Sequence, residues 1–371
     1  MFLTIQARSL AVICTLCLSG FTLAEPHKIA IDVQTIASDL GVPWGMVLIN
    51  ENTMLISQRE GIVSKLNLTD GSITNITGLP KIKVKGQGGL FDIALSPYYT
   101  STQWIYFTYS KNISGQGATS LSRAKLSNNT LIGWQELLIS QSTTNTNYHY
   151  GGRITFDVNG HIFISIGDRG VRPNAQDLTN HAGSILRLNL DGTIPNDNPF
   201  IDRSDTLAEI WSYGHRNPQG LFFNPQTELL WAIEHGPRGG DEINLIQASH
   251  NYGWPIISYG MEYHQDVAVG QGTELKGMEK PIKVYVPSIA PSGLIQYSGK
   301  AIPEWKNNLL TGALKLRHMN RIVIDSDNNA IDEQRLLRGI KGRIRNIIED
   351  KNGWLYISTD DGRILRLKPK I

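Results

Sequence analysis

Cysteine is almost missing from this chain. The 371 residues include two, Cys14 and Cys17, and both fall in the first two dozen positions. That opening stretch carries a single charge, Arg8, ahead of an apolar run from Ser9 to Ala24. The run is shorter than the roughly 20 residues of a bilayer span and fits a signal-peptide core. Small residues before Glu25 predict cleavage after Ala24, leaving residues 25–371 as one exported domain, periplasmic or secreted. An uncleaved anchor is the alternative. Without the leader there is no disulfide, no Cys-ligated metal and no thiol nucleophile. Neither Cys sits in a lipid-attachment context. Charge of one sign is lacking too: 35 Lys and Arg face 33 Asp and Glu. Such a balance gives no footing for nucleic acid or a membrane surface. No later apolar run is long enough to insert in a bilayer.

Helical periodicity is also scarce. What the chain has is Gly, Asn, Asp and Pro between short β-branched and aromatic runs. A loose repeat emerges, with units beginning at Asn52 ("NTMLISQREGIVSKLNL"), Gln103, Asn159 ("NGHIFISIGDRG"), Thr227, Asn307 and Asn352 ("NGWLYISTDDGRILRLKP"). Each reads as a strand, a polar turn or insert, and a second strand. Six such units predict an all-β fold, a six-bladed β-propeller with four-stranded antiparallel blades. The lone early strand at Ala30 to Val33 can complete the last blade and close the ring. A β-sandwich or a two-domain β protein is the competing architecture.

Several residue groups have chemical potential. His149 stands beside Gly151 and Gly152, whose missing side chains permit a ligand to approach closely. Asp168 follows a hairpin later, so the two ends can meet and the carboxylate can fix one ring nitrogen. As a plain turn residue in "GDRG", Asp168 needs no such role. In "GHRNPQG", Arg216 and Asn217 precede a Pro that fixes the turn. The loop "EHGPRGGDEINL" offers carbonyls with Asp241 or Glu242, oxygen ligands suited to calcium, without the spacing of an EF-hand. Turn formation explains that loop equally. Lys315, Arg343 and Arg345 are either solvated cations or an anion site, and Gln87 lies in a Gly-rich entry to a strand.

These stretches, with "VPWGM", "GQGGLFDIALSP", "HYGGRITF", "EIWSYGHRNPQGLFFNP", "NYGWP" and "GRIRNIIEDKNGWLYISTDDGRILRL", resemble the soluble PQQ-dependent aldose sugar dehydrogenases of the glucose/sorbosone dehydrogenase group. The resemblance runs in order through nearly all of the chain after Ala24. It implies the same six-bladed propeller and an oxidation of aldoses at C1 to aldonolactones. It implies His149 as general base and Asp168 as the carboxylate that orients it. It implies that Gln87, Arg216, Asn217, Lys315, Arg343 and Arg345 hold the quinone, with Tyr263 packing on its ring. It implies calcium on backbone oxygens of Gly236 and Pro237, and a second calcium at Glu242 and Tyr252. The implied partners are a small aldose and an electron acceptor that the sequence does not name, in a monomer or homodimer. Tyr148 departs from the glucose-oxidising branch, where the residue before the base is acidic, and that branch's long insertions are missing. The aldose branch is the closer match. PQQ carries three carboxylates, and planar guanidinium groups match them. Two other classes fit a propeller: a calcium-dependent lactonase-type hydrolase, which has no use for such a cation cluster, and a non-catalytic glycan- or protein-binding ring.

Overall fold

The computed structural model describes residues 29–370; the leader falls outside them. Twenty-four strands account for nearly all of the regular structure. The first, β1 (Ile31–Ala37), stands apart from its sequence neighbours. Blade 1 follows as β2 (Pro43–Asn50), β3 (Thr53–Gln58), β4 (Ile62–Asn67) and β5 (Ile73–Ile76). Blade 2 is β6 (Leu90–Leu95), β7 (Trp104–Ile113), β8 (Gln116–Ser127) and β9 (Thr130–Ile139). Blade 3 is β10 (Ile154–Phe156), β11 (His161–Ile166), β12 (Ser184–Asn189) and β13 (Ile210–Tyr213). Blade 4 is β14 (Pro218–Asn224), β15 (Leu229–Glu234), β16 (Asp241–Ile246) and β17 (Lys283–Tyr285). Blade 5 is β18 (Pro291–Gln296), β19 (Leu309–Ala313), β20 (His318–Ile324) and β21 (Ala330–Leu336). Blade 6 is β22 (Ile344–Glu349), β23 (Leu355–Thr359) and β24 (Arg363–Pro369), completed by β1. All pairings within the blades are antiparallel, and Ile31 faces Pro369 across the closing pair. The chain is a six-bladed propeller, and the lone early strand fastens the ring.

The repeat seen in the sequence is the β3–β4 hairpin and its equivalents in the other blades. The second and third strands of each blade are covered on both faces, so they read as apolar runs. Six clusters of buried side chains fill the six junctions between neighbouring blades. Ile93 and Phe107 meet Leu55 and Val63 between blades 2 and 1, and Met46 and Ile56 meet Tyr356 and Ile364 where blade 1 meets blade 6. The inner strands carry polar and Gly residues, and the outer ones are exposed, which is why neither shows in the repeat.

The hub is held by Arg153. Its Nε donates to the Gln219 carbonyl at 2.7 Å, and Nη2 donates to the Arg345 carbonyl at 3.1 Å. Nη1 reaches both the Trp44 carbonyl and Asp92 Oδ1 at 3.3 Å. One guanidinium thereby ties blades 1, 2, 4 and 6 to its own blade 3, and burial pulls it down to about 10. Asp92 is buried and its other oxygen accepts from the Ile154 N–H. Arg153→Met leaves that carboxylate uncompensated and should lower stability by about 3–5 kcal/mol. Adding Asp92→Asn should recover much of the loss. Denaturant midpoints of the two variants check this; equal midpoints would mean that the ion pair does not brace the hub.

Candidate active site

One end of the hub opens into a cavity of about 200 Å³. Every blade contributes to its wall: Trp44, Phe91, Tyr150, Asn217, Leu314 and Arg345, in order round the ring. Phe91 packs on Trp44 and on Tyr150 with ring centroids 5.4 Å apart in each case, giving one aromatic side. Arg59, Arg343 and Arg345 also line the cavity and make its wall cationic. Past the Arg153–Asp92 pair a second cavity of about 860 Å³ opens at the other end of the hub. It is larger, its lining includes Ile93, Ile154, Leu221 and Leu294, and no His is among its lining residues.

His149 lies in the connection between β9 and β10 with a left-handed backbone, φ 55°. A non-glycine residue is held there only by its surroundings. Its N–H donates to Gln87 Oε1 at 2.8 Å, and the preceding carbonyl accepts from the buried Arg169. Asp168 follows β11, which pairs antiparallel with β10, so the hairpin brings the two together. His149 Nδ1 and Asp168 Oδ1 are 2.6 Å apart. An ionised carboxylate can only accept, so the ring proton sits on Nδ1 and Nε2 is bare. Burial pushes the imidazole down against the pull of Asp168, and the Arg216 and Arg169 charges add to the lowering. Burial pushes the Asp168 carboxyl up, but its bond to His149 and the nearby positive charge outweigh that and hold it low. The dyad is thus a neutral imidazole beside a carboxylate.

The glycines beside His149 also answer to packing, and Gly151 lies on the cavity wall. A Cβ on Gly151 would meet the Ser165 carbonyl at 2.5 Å, and one on Gly152 would meet the Phe91 ring at 2.9 Å. Both also have positive φ, so the pair answers to backbone geometry and packing.

Among the sequence candidates, Gln87, Asn217, Arg343 and Arg345 line the cavity. Asn217 is buried and accepts from the Gly151 N–H at 3.2 Å. Arg216 donates to the His235 carbonyl and to the Tyr263 hydroxyl, each at 3.2 Å, and its buried Nε has no partner among the described residues. Tyr263 stands half exposed at that edge. Lys315 is exposed at the β19–β20 turn, next to the lining residue Leu314. Arg345 grips Asp360 through two bonds of 2.8 Å, and Arg343 reaches the same carboxylate at 3.3 Å. The two arginines are therefore a paired cluster, with Arg59 close by.

Sequence reasoning passed over Arg59, His235 and Asp360, all on the cavity wall. Each sits in the turn between the second and third strands of its blade, the position that Asp168 and Lys315 occupy in theirs. Superposing the six repeats on that turn is the signal that was available. His235 donates its Nε2–H to the Pro291 carbonyl at 2.6 Å, and burial brings it down to about 3.

The loop after His235 bears on metal binding. The carbonyls of Gly236 and Pro237 accept no hydrogen bond from any described residue. Asp241, however, is fully engaged: it accepts from Gly236, Ser288, Ile289 and Ala290 and latches the loop. Of the two acids in that loop, Glu242 alone remains for a cation. With Glu234 and Tyr252 it borders a void of about 10 Å³, the scale of one water or ion. Burial, then the Glu234 charge, pushes Glu242 up to about 8. The Tyr252 hydroxyl is committed to the Leu245 carbonyl and the Gln247 N–H. The carbonyl of Tyr252 accepts no hydrogen bond from a described residue and is free to ligate a cation. No cluster of three His, Cys, Asp or Glu is spaced for a metal among the described residues. The oxygen set offered is mostly backbone, which suits a hard cation.

The glucose / sorbosone dehydrogenase family model matches residues 40–366. Aldose sugar dehydrogenase YliI of Escherichia coli (strain K12) is 35% identical over 370 residues, covering 98% of this chain and 99% of that one. The structure of the soluble aldose sugar dehydrogenase from Escherichia coli in the apo form superposes with a TM-score of 0.88 at 34% identity, over 92% of this chain and 100% of that one. The PQQ-bound form of aldose sugar dehydrogenase from Streptomyces coelicolor superposes with a TM-score of 0.76 at 27% identity, over 94% and 100%. A match of this extent on the same ring of six blades leaves one assignment: the chain belongs to the glucose/sorbosone dehydrogenase family.

Proposed function

We propose that this protein oxidises aldoses at C1 to aldonolactones in a PQQ- and calcium-dependent reaction. The observation that carries the reading is the His149–Asp168 dyad beside a cavity lined by aromatic and cationic residues. The donor set fits PQQ: Arg59 and Arg216 each keep a buried Nε without a partner among the described residues, and Arg343 and Arg345 share one carboxylate between two guanidiniums. It also fits calcium through the free carbonyls of Gly236 and Pro237, with a second ion at Glu242 and Tyr252. When bound, the quinone supplies a two-electron acceptor for the C1 hydride and calcium polarises it.

This chain's own residues do the rest. His149 Nε2 takes the proton of the anomeric hydroxyl, and Asp168 steadies the positive charge that then develops on the ring. Gln87, on the cavity wall, holds the His149 backbone beside it. Arg216, Asn217, Lys315, Arg343 and Arg345 fix the cofactor's position, with Tyr263 against its ring. The electrons pass on to an acceptor of unassigned identity. The protein acts as a monomer or homodimer outside the cytoplasm, after loss of residues 1–24.

Protein reconstituted with PQQ and Ca²⁺ should reduce an artificial dye when given an aldose. Bound cofactor with no dye reduction across a sugar panel would remove the assignment, and lactone hydrolysis in its place would favour the hydrolase.

A further inference from the structure

Asp168 has two carboxylate oxygens and unequal company on them. Oδ1 meets His149 Nδ1 and accepts from the Gly170 N–H at 2.7 Å. Oδ2 is buried and accepts from one donor among the described residues, the indole Nε1–H of Trp254, at 2.8 Å. Trp254 comes from the long connection between β16 and β17 and is itself 5% exposed. Its N–H donates to the Gly214 carbonyl at 2.9 Å, and its carbonyl accepts from Gln176 at 2.7 Å. The ring lies near two guanidiniums, Arg216 at 5.2 Å and Arg172 at 5.4 Å. Arg172 is in turn clamped on Glu262 by bonds of 2.6 and 2.7 Å. The indole is thus immobilised at its backbone and beside its ring.

We infer that Trp254 is a positioning residue: its indole N–H pins Oδ2 of Asp168 and so presents Oδ1 to the His149 ring. This rests on the proposed role of His149 as base. A carboxylate with one oxygen unmet in a buried site either turns or gains proton affinity. Without the indole N–H, Asp168 becomes the more basic partner and stabilises the imidazolium. The His149 pKa then rises, and the acid limb of the reaction moves to higher pH. The other charged or titratable groups near the dyad are Arg169 and Arg216, with Arg172 against the Trp254 ring and His235 within range of the His149 charge. All of them remain in a Trp254 variant, so a shift reports the lost N–H.

The test is Trp254→Phe, read by imidazole NMR titration of His149 in cofactor-free protein and by kcat/KM against pH after loading with PQQ and Ca²⁺. The expected result is a raised His149 pKa and an acid limb displaced in the same direction. With them should come a fall in kcat of roughly tenfold, the scale of one hydrogen bond to a charged group, with PQQ affinity little changed. Should Trp254→Phe fail to fold, benzothienylalanine at position 254 keeps the ring shape and exchanges the N–H for sulfur. An imidazole titration that does not move overturns the inference, whatever happens to turnover. A titration that moves, in a protein whose wild type oxidises no sugar, upholds the positioning and sinks the dehydrogenase reading.

Discussion

His149→Gln should keep PQQ bound and lower kcat by about 10²–10⁴-fold, the usual contribution of a positioned base. Glutamine retains hydrogen-bonding capacity toward Asp168 but has no basic nitrogen to receive the hydroxyl proton. Wild-type protein should show a matching acid limb. The base works only when neutral, so activity is full above the imidazole pKa and is lost as pH falls through it. Burial places that pKa below the ordinary value of 6.5, so the limb should lie on the acid side of it. The kcat/KM profile reads the value for the free enzyme. The glutamine variant should lose the limb along with the rate. Turnover that survives the substitution would clear His149 of the role.

Arg345→Ala should weaken PQQ binding by far more than it weakens sugar binding. Truncating one partner of a buried, hydrogen-bonded charge pair costs about 2–5 kcal/mol, roughly 30- to several-thousand-fold in Kd. Asp360 sharpens the expectation. In the native site it lies between Arg343 and Arg345, with Arg345 on both of its oxygens. Once Arg345 is gone, that carboxylate faces an incoming anion with only the half-exposed Arg343 to offset it. Arg345→Ala combined with Asp360→Asn should therefore bind PQQ more tightly than Arg345→Ala alone. Fluorescence or absorbance titration of the four proteins completes the cycle. Strictly additive losses would show that Arg345 and Asp360 do not act as a unit.

The arrangement of the ring was readable because β3–β4 and its counterparts are covered on both faces and so repeat as apolar hairpins. The His149–Asp168 pair was readable for a related reason: a short hairpin separates them, and a hairpin returns its ends to one place. The loop after His235 was readable in its composition only. Its carbonyl-rich composition pointed to a hard cation, but chain order could not show that Asp241 is spent on four donors while Glu242 is left beside Glu234. Trp254 and Asp360 were not visible as site residues, since their partners come from distant segments. Alternation along a strand tells which side chains face a neighbour, and says nothing about which turns gather at one end of the hub. Gly151 and Gly152 were readable as a close approach but not for what approaches: the Ser165 carbonyl at one and the Phe91 ring at the other.

The seam between β1 and β24 has a temporal consequence. Residues made among the first must wait for those made among the last, and a contact of such long range slows folding. Until Ile31 meets Pro369, blade 6 ends in an open edge, the kind that recruits foreign strands. Arg345 and Asp360 ride on that same blade. A chain released short of Arg363 would lack β24, leave β1 without its partner, and should fail to close the ring.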